Sequence, residues 1–284
     1  MRKDLHEANR LSWNAATRAH NSHKGNQALF FRNGGSTLFP EEVALLGDVR
    51  GLRALHLQCN AGQDTLSIAR LGADITGVDI SDVAIDFATQ LAADAGIPAH
   101  FERADVFDYL AHAAGSSFDL VFSSYGTLCW LSDLNAWAQG IARVLKPGGH
   151  FVFIEFHPYA MVFDQDWTMR YDYFNTAPLA ESGVSDYVAE SGDGLAVGEY
   201  QAGEQDFVNP HSSHEFTWGL GQVITALSQA GLGVARLDEY PYANGWKGFD
   251  GMQDSGGRRM MPPTGMPRIP LMYSIVAQRQ PWCA

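Results

Sequence analysis

Apolar positions change their rhythm along this chain. Residues 1–50 are mostly polar; Leu5 to Arg18 reads as a helix with a weak apolar stripe, followed by the turn-rich stretch HNSHKGNQALFFRNGG. Pro40 suits the first turn of a short helix, where a missing N–H is no loss. From residue 52, short apolar runs alternate with helical spacing. Leu52–Leu57 is a candidate buried strand. Gly62–Leu71 is helical through Leu66, Ala69 and Arg70, with Gly72 at its C-terminal end. Ile75–Val78 is a second strand, and Ser81 is a cap for a helix reaching about Ala95. His100–Arg103 and Phe118–Ser123 are third and fourth strands. Ser132 or Asp133 caps a helix to Val144, Lys146–Gly149 (KPGG) is a turn, and His150–Phe156 is a fifth strand.

Strands and helices alternating at this length predict right-handed crossovers and a parallel sheet covered on both faces. His157–Trp218 breaks the alternation, with eleven Asp and Glu, one basic residue (Arg170) and eleven aromatics. That is too aromatic for a solvated linker and reads as an insertion over the sheet. Gly221–Ala230 is a helix ended by Gly231, Val234–Tyr240 a sixth strand, 241–269 a loop rich in Gly, Pro and Met, and Leu271–Arg279 a last strand.

Composition narrows the classes. Of 284 residues, 46% are hydrophobic and 18% charged, the balance of a globular chain. The net charge of −13 repels phosphate backbones, so nucleic acid is not an expected partner. Cys59, Cys129 and Cys283 share no close spacing, which argues against a zinc site or a disulfide framework. Two His-x-x-His pairs, His20/His23 and His211/His214, lack a third ligand at a clear spacing, and no metal is expected. No run approaches the roughly 18 apolar residues of a membrane span. The start, MRKDLHEANR, is not a secretory leader. The expected compartment is the cytoplasm, and the expected state a monomer or homodimer.

The chemistry lies where an open parallel sheet binds its ligand, beyond the carboxyl ends of the strands. There the first turn is Gln58–Asp64 (QCNAGQD). An acid about 20 positions on, at a strand end, can hold both hydroxyls of a ribose. Asp79 in GVDIS fits, against the simpler reading of a helix-capping or surface Asp. His56, Gln58 and Asn60 stand where a glycine-rich fingerprint has an acid and two glycines, and Gly62 remains. A pyrophosphate needs close backbone approach, so a dinucleotide is disfavoured. A ligand without phosphates relaxes that demand, and Gln58 and Asn60 can hydrogen-bond amino and carboxylate groups.

The series LHLQCNAGQDTLSIARLGA, ITGVDIS, ADVFD, FDLVFSS and LKPGGHFVFIE, in this order, resembles class I S-adenosylmethionine-dependent methyltransferases over residues 50–156. The phrases LHLQC and GQDTLS are similar to a bacterial subgroup. The resemblance implies a Rossmann-like α/β fold: a seven-stranded, mostly parallel sheet with an antiparallel last strand. It implies that residues 1–50 cap the cofactor site of a domain spanning 51–284, with 157–218 as a substrate-covering insertion. It also implies S-adenosyl-L-methionine as cofactor, with S-adenosyl-L-homocysteine as product. By position, Gln58, Cys59, Asn60 and Gly62, with Gln63 behind them, would line its methionine part. Asp79 would bind the ribose, Ile80 pack on adenine, Asp105 accept from the adenine amino group, and Val106 donate its backbone N–H. Ser123, Ser124 and Tyr125 would lie near the methyl group, and Trp13, Asn14, His20 and His23 belong to a segment that folds over the cofactor.

Methyl transfer from a sulfonium is an in-line displacement that needs alignment and exclusion of water, and a base only for a protonated nucleophile. The candidate catalytic residues are His157, at the end of the fifth strand, His214, just before the last helix, and Tyr125. A turn role for His157 and core packing for Tyr125 are the simpler readings. Tyr159, Phe163, Trp167, Tyr171, Tyr173 and Phe174, interleaved with Asp164, Asp166 and Asp172, suit an amine-bearing or aromatic small molecule, or else a small core with acids outside. The expected activity is methylation of a nitrogen or oxygen of a small organic metabolite. The alternatives are an RNA or protein methyltransferase, or a non-catalytic cofactor-binding homologue.

Overall fold

The computed structural model describes residues 1–280; Cys283 lies outside the described residues. Seven strands form the main sheet: β1 Arg53–Leu57, β2 Asp74–Asp79, β3 His100–Arg103, β4 Phe118–Ser124, β5 Leu145–Phe156, β6 Leu232–Tyr240 and β7 Met272–Arg279. Their order is β3-β2-β1-β4-β5-β7-β6. β1 to β5 pair in parallel, and β7 runs antiparallel between β5 and β6. The order reverses between β1 and β4, so a crevice opens at their carboxyl ends.

Nine helices accompany these strands among the described residues: α1 Lys3–Ser22, α2 Gln27–Arg32, α3 Pro40–Leu46, α4 Gln63–Arg70, α5 Asp82–Ala95, α6 Val106–His112, α7 Leu134–Val144, α8 Tyr187–Ser191 and α9 Leu220–Gln229. Alternation along the strands supplies both core layers. Leu55, Leu57, Val121, Phe151 and Phe153 pack with α6, α7 and α9. Ala54, Ile75, Leu120, Phe122, Val152 and Ile154 pack with α3 and α4. Two expected caps are present: Ser81 accepts from Ala84 N, and Asp133, rather than Ser132, accepts from Ala136 N.

Several boundaries depart from the sequence reading. The KPGG turn is a bulge inside a longer strand: the register jumps from Phe118↔Leu145 to Leu120↔His150, with Gly148 at φ +79°. α2 occupies a stretch read as turns, and α6 begins at Asp105, whose carboxylate caps it by accepting from Phe107 N. In the insertion, Leu179–Glu181 pairs antiparallel with Ser213–Glu215. The 241–269 loop carries a small three-stranded sheet of Ala243–Asn244, Gln253–Asp254 and Arg259–Met261. Most of the aromatic run of the insertion points away from the sheet's crevice. Phe163 and Trp167 pack with Phe249 and Met252, while Tyr171 and Phe174 are exposed. Among the described residues no helix is long and apolar enough to cross a membrane.

Candidate active site

A cavity of about 640 Å³ lies at the carboxyl ends of β1, β2 and β4. Its floor is the turn after β1, where the chain leaves the sheet through two left-handed residues, Gln58 (φ 53°) and Asn60 (φ 48°). These are the positions where a fingerprint has glycines, and side chains there cost about 1 kcal/mol each. Their amides are partly used. Asn60 Oδ1 accepts from Ala61 N at 2.6 Å, and Asn60 N donates to Asp79 Oδ2 at 2.8 Å. Gln58 Nε2 donates to Thr127 O at 2.9 Å, while its Oε1 is buried with no partner.

The turn after β4 is built by Glu155, from the end of β5. Its Oε2 accepts from Thr127 N at 2.7 Å, Leu128 N at 3.1 Å and Thr127 Oγ1 at 3.1 Å. Its Oε1 accepts from Phe156 N at 2.7 Å and from Gly126 N. Burial raises the Glu155 carboxyl, against the lowering effect of these N–H groups. Ser123 Oγ, fully buried, donates to Thr127 Oγ1 at 3.2 Å. The brace runs from β5 through the 126–128 turn to Gln58 in the β1 turn.

At the far wall, Asp79 accepts from Ser81 N at 2.8 Å as well as from Asn60, and burial raises its carboxyl. Ile80, Asp105 and Val106 line the cavity. Asp105 is also engaged: His6 Nδ1 lies 2.7 Å and Lys3 Nζ 3.1 Å from its Oδ2. Burial opposes these contacts, and His6, Phe107 N and Lys3 together hold Asp105 down at about 2.

The roof is α1 with part of the insertion. Trp13 lines the cavity and meets Trp130 edge-on at 5.4 Å and Tyr187 at 6.4 Å; His20 lies over Tyr187 at 4.2 Å and bonds Ser185 O. Asn9 exchanges two hydrogen bonds with the backbone of His214, and Ser12 Oγ accepts from Val184 N at 2.9 Å. Glu181 and Glu215 lie on one face of their strand pair, and both line the cavity. Burial, with Glu181 nearby, pushes the Glu215 carboxyl up to about 7.

Of the residues singled out by sequence, the cavity gathers Trp13, His20, Gln58, Cys59, Asn60, Gln63, Asp79, Ile80, Asp105, Val106, Ser124 and Tyr125. Six other cofactor or catalytic candidates lie outside it, as do the six aromatics and three aspartates of the insertion. His157 sits 3.0 Å from Glu239 on β6, packs on Tyr273, and its Nδ1 accepts from Tyr159 N. His214 points opposite to Glu215, by strand parity. His23 is fully buried, with Nε2 2.7 Å from Asp186 Oδ2. Asn14 accepts from Ser81 Oγ and Val83 N, tying α1 to α5. Gly62 (φ +79°) allows close packing, since a Cβ there would meet Ala88 at 2.7 Å. Ser123 supports the turn from behind. Sequence reasoning missed Lys24, Phe39, Thr127, Glu155, Glu215, Asn244 and Arg258. Only Glu155 left a trace, as a charge inside the apolar run FVFIEF.

Comparisons with known proteins agree with this geometry. Residues 55–153 match the family model described as methyltransferase domain. The chain is 31% identical to the biotin biosynthesis bifunctional protein BioCD of Bordetella avium (strain 197N), over 69% of this chain and 41% of that protein. It is 33% identical to a ubiquinone biosynthesis O-methyltransferase of Rhizobium etli (strain CIAT 652), over 36% of this chain and 40% of that one. It thus spans about two fifths of these curated relatives. Among solved structures, an S-adenosylmethionine-dependent methyltransferase from Mesorhizobium loti aligns over 84% of this chain and 96% of that one, with TM-score 0.55 and 23% identity. One from Clostridium acetobutylicum ATCC 824 aligns over 81% and 84%, with TM-score 0.52 and 12% identity. The likeness to both structures is one of fold. Residues 55–153 carry a methyltransferase domain, and the chain shares the fold of S-adenosylmethionine-dependent methyltransferases.

Proposed function

We propose that this protein transfers a methyl group from S-adenosylmethionine to a nitrogen or oxygen of a small organic molecule held in the cavity. The observation that carries the reading is the buried, unpartnered Gln58 Oε1 at the lining of a cavity that also presents Asp79 at the end of β2. An orphaned buried acceptor costs free energy until a donor reaches it, and the ammonium of an amino-acid ligand is such a donor. The residues fit the cofactor: Gln58 for the ammonium, Asp79 for the ribose hydroxyls, Ile80 for the adenine face, and Asp105 with Val106 N for the adenine edge.

When bound, the cofactor supplies an electrophilic methyl on a good leaving group. The chain's own work is positional. Glu155 fixes the 126–128 turn, and Thr127 O orients Gln58 by accepting its Nε2–H. The roof from Trp13, Tyr187 and Trp130 excludes water. Where the acceptor carries a proton, Glu215 is a cavity group raised to about 7 and so suited to taking it at neutral pH. Residues 1–50 and the 157–218 insertion act together as the cap, joined through Asn9, Ser12, His20 and His23. A cavity of this volume is in the range of small-molecule sites, which favours a metabolite over RNA or protein.

Incubation of the protein with isotope-labelled S-adenosylmethionine and a cell extract tests this. Label is expected in the low-molecular-weight fraction. Label recovered only in RNA or protein would overturn the small-molecule reading.

A further inference from the structure

One wall of the cavity is left over by the cofactor reading. The Arg258 guanidinium carbon lies 3.9 Å from the centre of the Phe39 ring. Phe39 meets Tyr125 edge-on at 6.1 Å, Tyr125 meets Phe156 at 5.7 Å, and Phe156 meets Trp246 at 4.6 Å. All five line the cavity. They form a continuous aromatic surface with a guanidinium at one end, beside the turn that follows β4.

The charge on this wall lacks a protein counter-ion. Arg258 donates to Thr37 O at 3.0 Å and Gly194 O at 3.2 Å, which anchor it from the backbone. Among the described residues no carboxylate lies within 4.0 Å of it, nor of Lys24, the other Lys or Arg of the cavity. Asp64, Glu42 and Asp254 act on Arg258 from farther off, and burial raises the Asp64 and Glu42 carboxyls. Burial also lowers Lys24 to about 8. A chain with 32 acidic and 19 basic residues has no shortage of carboxylates to pair with. Arg258 and Lys24 are half-buried, and a cation partly drawn out of water is stabilised by a partner or by a ligand.

The count then decides. The amino-acid end of the cofactor brings a single carboxylate. Asp64, at the start of α4, acts on both Lys24 and Arg258, and of the two Arg258 is the one stacked on the aromatic wall, over Phe39. Arg258 is the surplus cation. We propose that the methyl acceptor is a carboxylic acid with a flat apolar body. Its carboxylate is held by the free N–H groups of Arg258, and its body lies on Phe39, Tyr125, Phe156 and Trp246. Arg offers carboxylates a planar fork of donors, and its stacking on Phe39 fixes that fork in place. This rests on the methyltransferase reading and replaces the amine-bearing acceptor that Asp164, Asp166 and Asp172 suggested, since none of those three lines the cavity.

The test uses the protein saturated with S-adenosylhomocysteine and three probes of one shape: benzoate, benzamide and benzylamine, titrated by calorimetry. Benzoate is expected to bind about tenfold or more tightly than the other two. Arg258→Met should remove that preference and leave the S-adenosylhomocysteine Kd within about threefold, whereas Lys24→Met should weaken S-adenosylhomocysteine instead. Should Arg258→Met not fold, Arg258→Lys, which keeps the charge without the fork, is expected to lose most of the preference. Equal binding of the three probes, tighter binding of benzylamine, or benzoate binding indifferent to the Arg258 variants would overturn the proposal. Failure of S-adenosylhomocysteine to bind at the outset would refute the methyltransferase reading instead.

Discussion

Replacing Glu155 by Gln tests whether the turn after β4 is organised from the end of β5. The substitution keeps the volume and one carbonyl oxygen, so Gly126 N and Phe156 N retain an acceptor. The new amide NH₂ then meets Thr127 N and Leu128 N, which Oε2 now accepts at 2.7 and 3.1 Å. Two buried backbone donors lose their acceptor at about 1–3 kcal/mol each. Relief from burying a charge offsets part of that, and a net loss of about 3 kcal/mol is expected. For a chain of this size that lowers Tm by roughly 6–12 °C. A second effect follows from Thr127 O, which orients Gln58: the variant should bind S-adenosylhomocysteine about tenfold more weakly at a temperature where it is fully folded. Differential scanning calorimetry and titration calorimetry read the two effects separately. A Tm within about 2 °C of the parent, together with an unchanged Kd, would refute the brace.

Gln58→Gly should relieve a left-handed residue and lose its bond to Thr127 O, each worth about 1 kcal/mol, so Tm stays nearly level. Its S-adenosylhomocysteine Kd should rise about fivefold or more, and an unchanged Kd would count against Gln58 as a contact. The Glu215 carboxyl is raised in the folded state from 4.5 to about 7, so its stabilisation is complete below pH 4.5 and is lost as pH rises through 7. Glu215→Gln should therefore remove a pH dependence of at most roughly 3 kcal/mol, read as Tm against pH from 4 to 8; parallel curves would contradict the shift. His157→Ala should cost about 1–3 kcal/mol in stability through its contacts with Tyr273 and Tyr159, yet leave kcat and KM within about twofold. A large fall in kcat without a fall in Tm would restore it as a catalytic residue.

The centre of the sheet was legible because β1, β4 and the second half of β5 are apolar runs buried on both faces, and FDLVFS and FVFIEF can be little else. α6 escaped notice because seven residues give too little periodicity, although Asp105 at its start is an ordinary cap. The KPGG segment reads as a turn because its residues favour one, but the flanking strand absorbs it as a bulge. At the cavity, Gln58, Asn60 and Asp79 were readable because strand ends at a switch point are fixed by topology. Glu215 was not, because a single residue decides which face of a strand a side chain takes, and the pattern of HSSHEF leaves that parity open. His157 failed similarly: after Phe156 the chain turns, and the ring swings toward Glu239 on β6. Arg258 and Lys24 lie in stretches without periodicity, and only the fold brings them to one cavity.

Titration calorimetry of the full chain with S-adenosylhomocysteine, beside Asp79→Ala, tests the central claim most directly. The account predicts saturable binding to one site. At a hundredfold excess over Kd it predicts about 2.7 kcal/mol of added stability, with affinity at least tenfold weaker in the Asp79 variant. No heat of binding and no rise in Tm with the parent protein would contradict it.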